Sequence, residues 1–135
     1  MIGINALLLV LRLLLGVVFL AHGAQKAFGA FGGPGLAGMA GFLGSLGIQP
    51  PRFWAVVAAY GELLGALLVA LGLFTPLGAL LIAATMAVAT FKVHGPKGFF
   101  IQNGGYEHAL VLLVLALALA VAGPGAYSLD ALLRR

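Results

Sequence analysis

Residues 53–91, FWAVVAAYGELLGALLVALGLFTPLGALLIAATMAVATF, contain two long apolar runs separated by the turn Phe74-Thr75-Pro76. Each run approaches the length that a helix needs to cross the hydrocarbon core of a bilayer, about 20 residues. Glu62 is the only charged residue in this stretch. A carboxylate in the middle of a span is costly in hydrocarbon, so it normally faces the bundle interior or a wet cavity and has a partner. The stretch therefore predicts a membrane protein with a polar interior site.

The composition of the whole chain supports the same class of protein. Of its 135 residues, 63% are hydrophobic and 7% are charged, whereas soluble domains carry about 25% charged residues. The mean hydropathy is +1.18. The sequence predicts an all-α membrane protein, a four-helix transmembrane bundle that forms a single domain over residues 1–135. The four predicted spans cover residues 4–26, 53–73, 76–94 and 106–123.

The glycine-rich loop 28–51 joins the first two spans. Glycine recurs at every third position from Gly29 to Gly47. Four apolar residues fall on one face of a helix centred in this loop, as expected for a helix that lies on a membrane surface. They are Leu36, Met39, Leu43 and Leu46. We therefore expect a short interfacial helix between spans one and two, around residues 36–46.

Small residues inside the spans predict close packing between helices. Gly61 and Gly65 form a Gly-x-x-x-Gly motif in the second span, and Gly16 and Gly23 lie in the first. Such positions let two helix backbones approach each other closely in a membrane.

The polar residues are distributed unevenly along the spans. At about 1.5 Å of rise per residue, His22 lies roughly 6 Å and Glu62 roughly 14 Å from the side that carries the loops. Nearly all other ionisable side chains lie close to that side, so the sequence predicts a polar pocket that opens on one face of the membrane. We expect Glu62 and His22 to be the catalytic residues. Candidate binding residues are Arg12, Lys26, Tyr60, Lys92, His94, Glu107 and His108.

Arg12 is the deepest of these residues, and two environments are open to it. It lies about 7 Å beyond Glu62 by the same helical rise, which an arginine side chain can span. An ion pair between the two would offset part of the cost of burying each charge. Alternatively, Arg12 extends towards the opposite membrane surface, the direction that its Cα–Cβ bond favours.

Several kinds of chemistry are excluded or disfavoured. The chain has no cysteine, so it cannot hold a disulfide or an iron–sulfur cluster of its own. The three histidines lack the spacings of metal-binding motifs, and we predict neither a metal nor a haem. The net charge of +4 fits membrane topology and anionic lipid headgroups, and we predict no nucleic-acid partner.

Six motifs carry a resemblance to a known family. In chain order they are RLLLG (residues 12–16), HGxxK (22–26), YGELLG (60–65), LGLFTP (71–76), GGxE (104–107) and GPGAYSLD (123–130). Together they resemble the DoxX family, and the resemblance extends over almost the whole chain. It implies a small protein that crosses the bacterial or archaeal cytoplasmic membrane four times.

The resemblance also implies a function. DoxX-like proteins are similar to the small membrane subunit of a thiosulfate:quinone oxidoreductase, and others are linked to thiol-redox or quinone-stress complexes. We therefore expect a membrane subunit of an oxidoreductase system, with a quinone as the candidate cofactor. Its expected partners are the lipid bilayer and another protein subunit or further copies of itself. Whether the chain is itself an enzyme stays open, since no redox centre is visible in the sequence.

Two other functions remain open at this point. A lone intramembrane carboxylate beside an arginine resembles the coupling site of a small solute or ion transporter. The chain could equally serve as a non-catalytic subunit that anchors or assembles a partner at the membrane.

Overall fold

A computed structural model describes residues 2–134 as an all-helical bundle, which confirms the predicted all-α class; residues 1 and 135 of the predicted domain lie outside the described part. The helices are α1 (Ile2–Phe28), α2 (Gly35–Ser45), α3 (Pro51–Leu71), α4 (Thr75–Val88), α5 (Glu107–Ala122) and α6 (Leu129–Leu133). A π-helical turn, Ala89–His94, continues α4. Short 3₁₀ turns occupy Ala30–Gly32, Gly95–Lys97 and Ile101–Asn103.

Three of these helical segments are long and apolar enough to cross a membrane: Gly3–Phe28, Pro51–Leu71 and Thr75–Lys97. The chain is therefore a membrane protein. The predicted fourth span corresponds to α5, which has 16 residues and is shorter than the roughly 20 residues of a typical span. Four crossings thus stay a prediction.

The first and third helices pack antiparallel through small residues. A Cβ built at Gly16 would lie 2.7 Å from the Cβ of Ala70, and one built at Gly23 would lie 2.8 Å from the Cγ of Leu63. Side chains at these two positions would force the helices apart, so both glycines act in packing as expected. The α3–α4 contact is equally close, because a Cβ at Gly65 would lie 2.9 Å from the carbonyl oxygen of Gly78.

The core lies between α1, α3, α4 and α5. Its buried members include Leu15 and Phe19 of α1, Val69 of α3, Ile82 of α4 and Leu119 of α5. A second, smaller cluster joins α2 to α3, where Met39 and Leu43 pack on Ala55. The helix predicted inside the glycine-rich loop is thus present, and two residues of its predicted apolar face are directed at the bundle. Its position at the membrane surface stays a prediction.

The residues after α5 close the end of the bundle opposite the loops. Asp130 Oδ1 accepts a hydrogen bond from the backbone N–H of Phe74 at 2.7 Å, and Oδ2 accepts one from Thr75 at 3.0 Å. The backbone N–H of Asp130 donates to the carbonyl oxygen of Gly72 at 2.8 Å. Asn5 of α1 contributes a further bond, accepting from the N–H of Ala126 at 2.9 Å. Polar contacts therefore hold this closed end of the bundle.

Candidate functional site

A cavity of about 600 Å³ lies among α1, α2, α3, α4 and α5. Its volume is within the range of small-molecule and cofactor sites, roughly 300–1,000 Å³. Apolar side chains from all five helices form most of its wall. The apolar and weakly polar lining residues include Phe19, Met39, Phe42, Leu43, Ile48, Trp54, Val57, Leu81, Thr85, Met86 and Leu112.

Five basic side chains also line this cavity. They are His22, Lys26, Lys92, His94 and His108. These include all three histidines and two of the three lysines of the sequence. His22 and Lys26 lie one helical turn apart on α1, and His108 lies in the first turn of α5. The structure therefore brings together five of the nine predicted site residues, from three elements distant in sequence.

The π-helical turn at the end of α4 carries Lys92 and His94 to the cavity. Within it, the Thr90 hydroxyl donates to the carbonyl oxygen of Met86 at 2.7 Å, and the ring nitrogen Nδ1 of His94 is 2.7 Å from the carbonyl oxygen of Gly104. Single π-helical turns are rare inside α-helices and are frequent at functional sites. Here the turn supplies two of the five basic side chains.

Glu62 lies directly behind the cavity wall and is fully buried. Its Oε1 forms an ion pair and hydrogen bond with Nζ of Lys26, whose side chain is 21% exposed. Its other oxygen, Oε2, has no hydrogen-bond partner within residues 2–134. The neighbouring Gly61 lines the cavity, and in the described structure a Cβ at Gly61 would meet no atom within 4 Å beyond its own helix backbone.

Arg12 does not pair with Glu62. The observed environment is close to the second alternative, in which Arg12 extends towards the side opposite the loops. It is directed towards the closed end of the bundle, where it is buried by the residues after α5. Nε donates to the carbonyl oxygen of Pro124 at 3.0 Å and Nη1 to that of Ala70 at 3.2 Å; Nη2 donates to the carbonyl of Tyr127. Backbone carbonyl oxygens accept the hydrogen bonds of the buried guanidinium, so the position of Arg12 is explained by structural contacts.

Two other predicted site residues lie outside the cavity lining. The ring of Tyr60 is exposed and packs edge-on against Phe28, with centroids 6.2 Å apart. Glu107 begins α5, and its backbone N–H donates to the carbonyl oxygen of Phe99 at 3.0 Å. A carboxylate in the first turn of a helix is favoured by the helix dipole, so this position of Glu107 is explained without a site role.

Sequence reasoning did not assign a site role to the apolar residues that form the cavity wall. Trp54 is the most useful of them, because it is the sole tryptophan of the chain and lines the cavity. Its indole N–H donates to the carbonyl oxygen of Gln49 at 3.2 Å. A lone tryptophan at the start of a span is typical of the membrane interface, and for that reason it gave no separate signal. In the described part of the chain, no three His, Asp or Glu side chains form a metal-binding cluster.

Comparison with known proteins gives the family. The model of the DoxX family matches residues 7–95, which include most of α1, all of α2 to α4 and the whole π-helical turn. The chain belongs to the DoxX family. This confirms the resemblance that the sequence motifs carried.

Curated relatives match over most of this DoxX chain. A Bacillus subtilis (strain 168) protein with the name "Putative oxidoreductase CatD" is 36% identical over 124 residues, which cover 90% of this chain and 83% of that protein. An uncharacterized protein of Haemophilus influenzae is 30% identical over 134 residues, which cover 99% of this chain and 87% of the relative. No solved structure gives a significant match.

Proposed function

We propose that this protein is a membrane subunit of an oxidoreductase system and that its cavity is a quinone-contacting site. The observation that carries the proposal is the combination of apolar walls and five basic side chains in one cavity of about 600 Å³. A quinone has the matching chemistry, with an apolar ring and tail and two carbonyl oxygens that accept hydrogen bonds. Ligand sites generally have this composition, mostly apolar with a few converging polar groups.

The basic side chains have definite roles in this proposal. His22 and Lys26 are the donors to a quinone oxygen, and His94 and His108 can donate from the π-helical turn and from α5. Glu62 holds Lys26 at the cavity through their ion pair. The cavity then supplies positioning and protons. Electrons come from a bound cofactor or a second subunit, because quinone reduction needs a reductant that no side chain here provides.

Two further observations support the oxidoreductase assignment and the membrane topology. One curated relative has a name that describes an oxidoreductase.

We also propose that α5 is the fourth crossing of the cell membrane, since it contains no charged residue after Glu107 and packs against α4. In this topology α2 lies at the membrane surface beside the cavity that it helps to line.

Quinone binding can be measured by the fluorescence of Trp54. The purified protein in a neutral detergent is titrated with a neutral naphthoquinone that carries a short alkyl tail, and quenching of the indole is followed. Because the tryptophan lines the cavity, we expect saturable quenching. Quinone dissolved in the micelle gives only a linear, collisional component, which is measured with free N-acetyltryptophanamide.

A matched pair of variants localises the effect. Gly61→Leu places a side chain in the cavity at a position with open space, so it should abolish saturable quenching. Ala118→Leu makes the same kind of change on an exposed position of α5 that does not line the cavity, and should leave the quenching unchanged. Absence of saturable quenching in the natural protein, or equal quenching in both variants, contradicts the proposal.

A further inference from the structure

The charges that line the cavity are not balanced. Two lysines line it, and no aspartate or glutamate of the described chain does. The buried carboxylate of Glu62 compensates Lys26 through their ion pair. Lys92 has no ion-pair partner within residues 2–134, where Lys26–Glu62 is the one such pair found. The cavity thus has one compensated and one uncompensated ammonium group, together with three imidazoles.

The uncompensated ammonium group of Lys92 lies where it can attract a negatively charged ligand. Lys92 lies on the π-helical turn beside His94, and both side chains line the cavity. Lys92 is exposed and also lines the cavity. Water therefore screens its charge on the exposed side, whereas the cavity wall beside it is largely apolar and screens it less. A neutral ligand leaves this positive charge without a counter-charge, whereas a ligand with a negative oxygen supplies one.

We propose that the cavity selects quinone-type ligands in an anionic form, with the negative ring oxygen at Lys92. The class includes hydroxyquinones and the deprotonated forms of a reduced quinone. Lys92 is then the residue that determines this specificity, while the ion pair of Lys26 and Glu62 contributes hydrogen bonding without net charge. This inference rests on the proposed quinone function and specifies which ionic form the site prefers.

The test uses two ligands that differ in charge but hardly in shape. One is a 2-hydroxy-3-alkyl-1,4-naphthoquinone, whose hydroxyl group is ionised at neutral pH. The other is its 2-methoxy analogue with the same alkyl tail, which stays neutral. Both are titrated against the Trp54 fluorescence of the full chain in neutral detergent. We expect the anion to bind at least about tenfold more tightly, a difference of about 1.4 kcal/mol, and the preference to weaken as salt is added.

Matched lysine variants test the assignment to one residue. Lys92→Gln should bring the affinities for the two ligands to within about twofold, or about 0.4 kcal/mol, and Lys92→Arg should restore the preference. Lys97→Gln changes the net charge by the same amount, but Lys97 lies against Gly104 and does not line the cavity, so this variant should keep the preference. Lys92 is exposed on a surface turn, and its replacement is not expected to unfold the protein.

The outcomes separate this inference from the function on which it rests. Equal or weaker binding of the anion overturns the charge preference and leaves the quinone site intact. A preference that survives Lys92→Gln overturns the role of that lysine. Absence of saturable binding for both ligands contradicts the proposed function itself.

Discussion

Lys26 and Glu62 form an asymmetric ion pair, because the lysine is partly exposed in the cavity and the carboxylate is fully buried. Removing one member of a buried pair leaves an uncompensated charge, at a typical cost of about 3–5 kcal/mol. The loss of stability is larger when the charged group that remains unpaired is the buried one. After loss of Glu62, the ammonium group of Lys26 can be solvated from the cavity; after loss of Lys26, the carboxylate has no such access.

This asymmetry gives an ordered prediction for two single variants and their combination. Lys26→Met should lower the thermal stability in detergent more than Glu62→Gln does. The double variant should be less destabilised than the two single losses summed, since it leaves no unpaired charge. The matched cycle of Arg12→Leu with Glu62→Gln should be additive, because Arg12 binds carbonyl oxygens elsewhere. Coupling in the Arg12 cycle, or strict additivity in the Lys26 cycle, contradicts the observed pairing.

At the scale of the helices, the two glycines of one Gly-x-x-x-Gly motif have different roles. Gly65 touches the backbone of α4, whereas Gly61 faces the cavity and would accommodate a Cβ. The motif alone predicted the same close approach at both positions. The two glycines differ because Gly65 lies on the side of α3 that faces α4 and Gly61 does not. Which side of α3 faces α4 depends on the turn at residues 72–75.

Alanine at these two positions should therefore have opposite effects on stability. Gly65→Ala adds a methyl group 2.9 Å from the Gly78 carbonyl oxygen and should destabilise the protein by about 1–3 kcal/mol, as overpacking does. Gly61→Ala replaces glycine within a helix without a clash and should be neutral or stabilising by up to about 1 kcal/mol. Thermal unfolding of both variants in one detergent measures the difference. Equal destabilisation would show that α3 and α4 do not meet in this way.

The helices were largely predictable, since long apolar runs specify them and prolines mark two of their starts. The π-helical turn was not, because no residue type is specific for that geometry. Within the site, the clustering of basic residues at the loop side followed from their depth along the spans. The partners of Arg12 and Glu62 could not be predicted from the sequence. Side chains of this length reach several neighbours, and which neighbour they contact depends on how each helix is rotated about its axis.

At the scale of the whole molecule, the two ends of the bundle differ in construction. The loop end contains a cavity with basic side chains. At the other end, Asp130 joins the residues after α5 to the turn between α3 and α4. Burial raises the pKa of Asp130, but the N–H groups of Thr75 and Phe74 favour the carboxylate and bring the net pKa below its usual value, about 3.9 for aspartate.

The lowered pKa predicts how the closed end responds to acid. The stabilisation is complete above the unfolded-state pKa, about 3.9, and is lost as the pH falls through the lower pKa of the folded state. Asp130→Asn should cost about 1 kcal/mol at neutral pH, as loss of a helix-capping group typically does. The gap in thermal stability between natural and variant protein should narrow below about pH 4. A gap that stays constant over that range would exclude ionisation of Asp130 as its source.

The carbonyl partners of Arg12 also have a consequence for the order in which the helices insert into the membrane during synthesis. Arg12 lies on α1, which is translated well before two of its acceptors, Pro124 and Tyr127, more than a hundred residues later in the chain. Val69 and Ala70 provide acceptors at an intermediate stage. An arginine at the centre of a nascent span opposes insertion by about 2.5–3.5 kcal/mol. Helix α1 is therefore expected to remain beside the translocon, or to shift towards the lipid headgroups, until the residues that follow α5 have been translated.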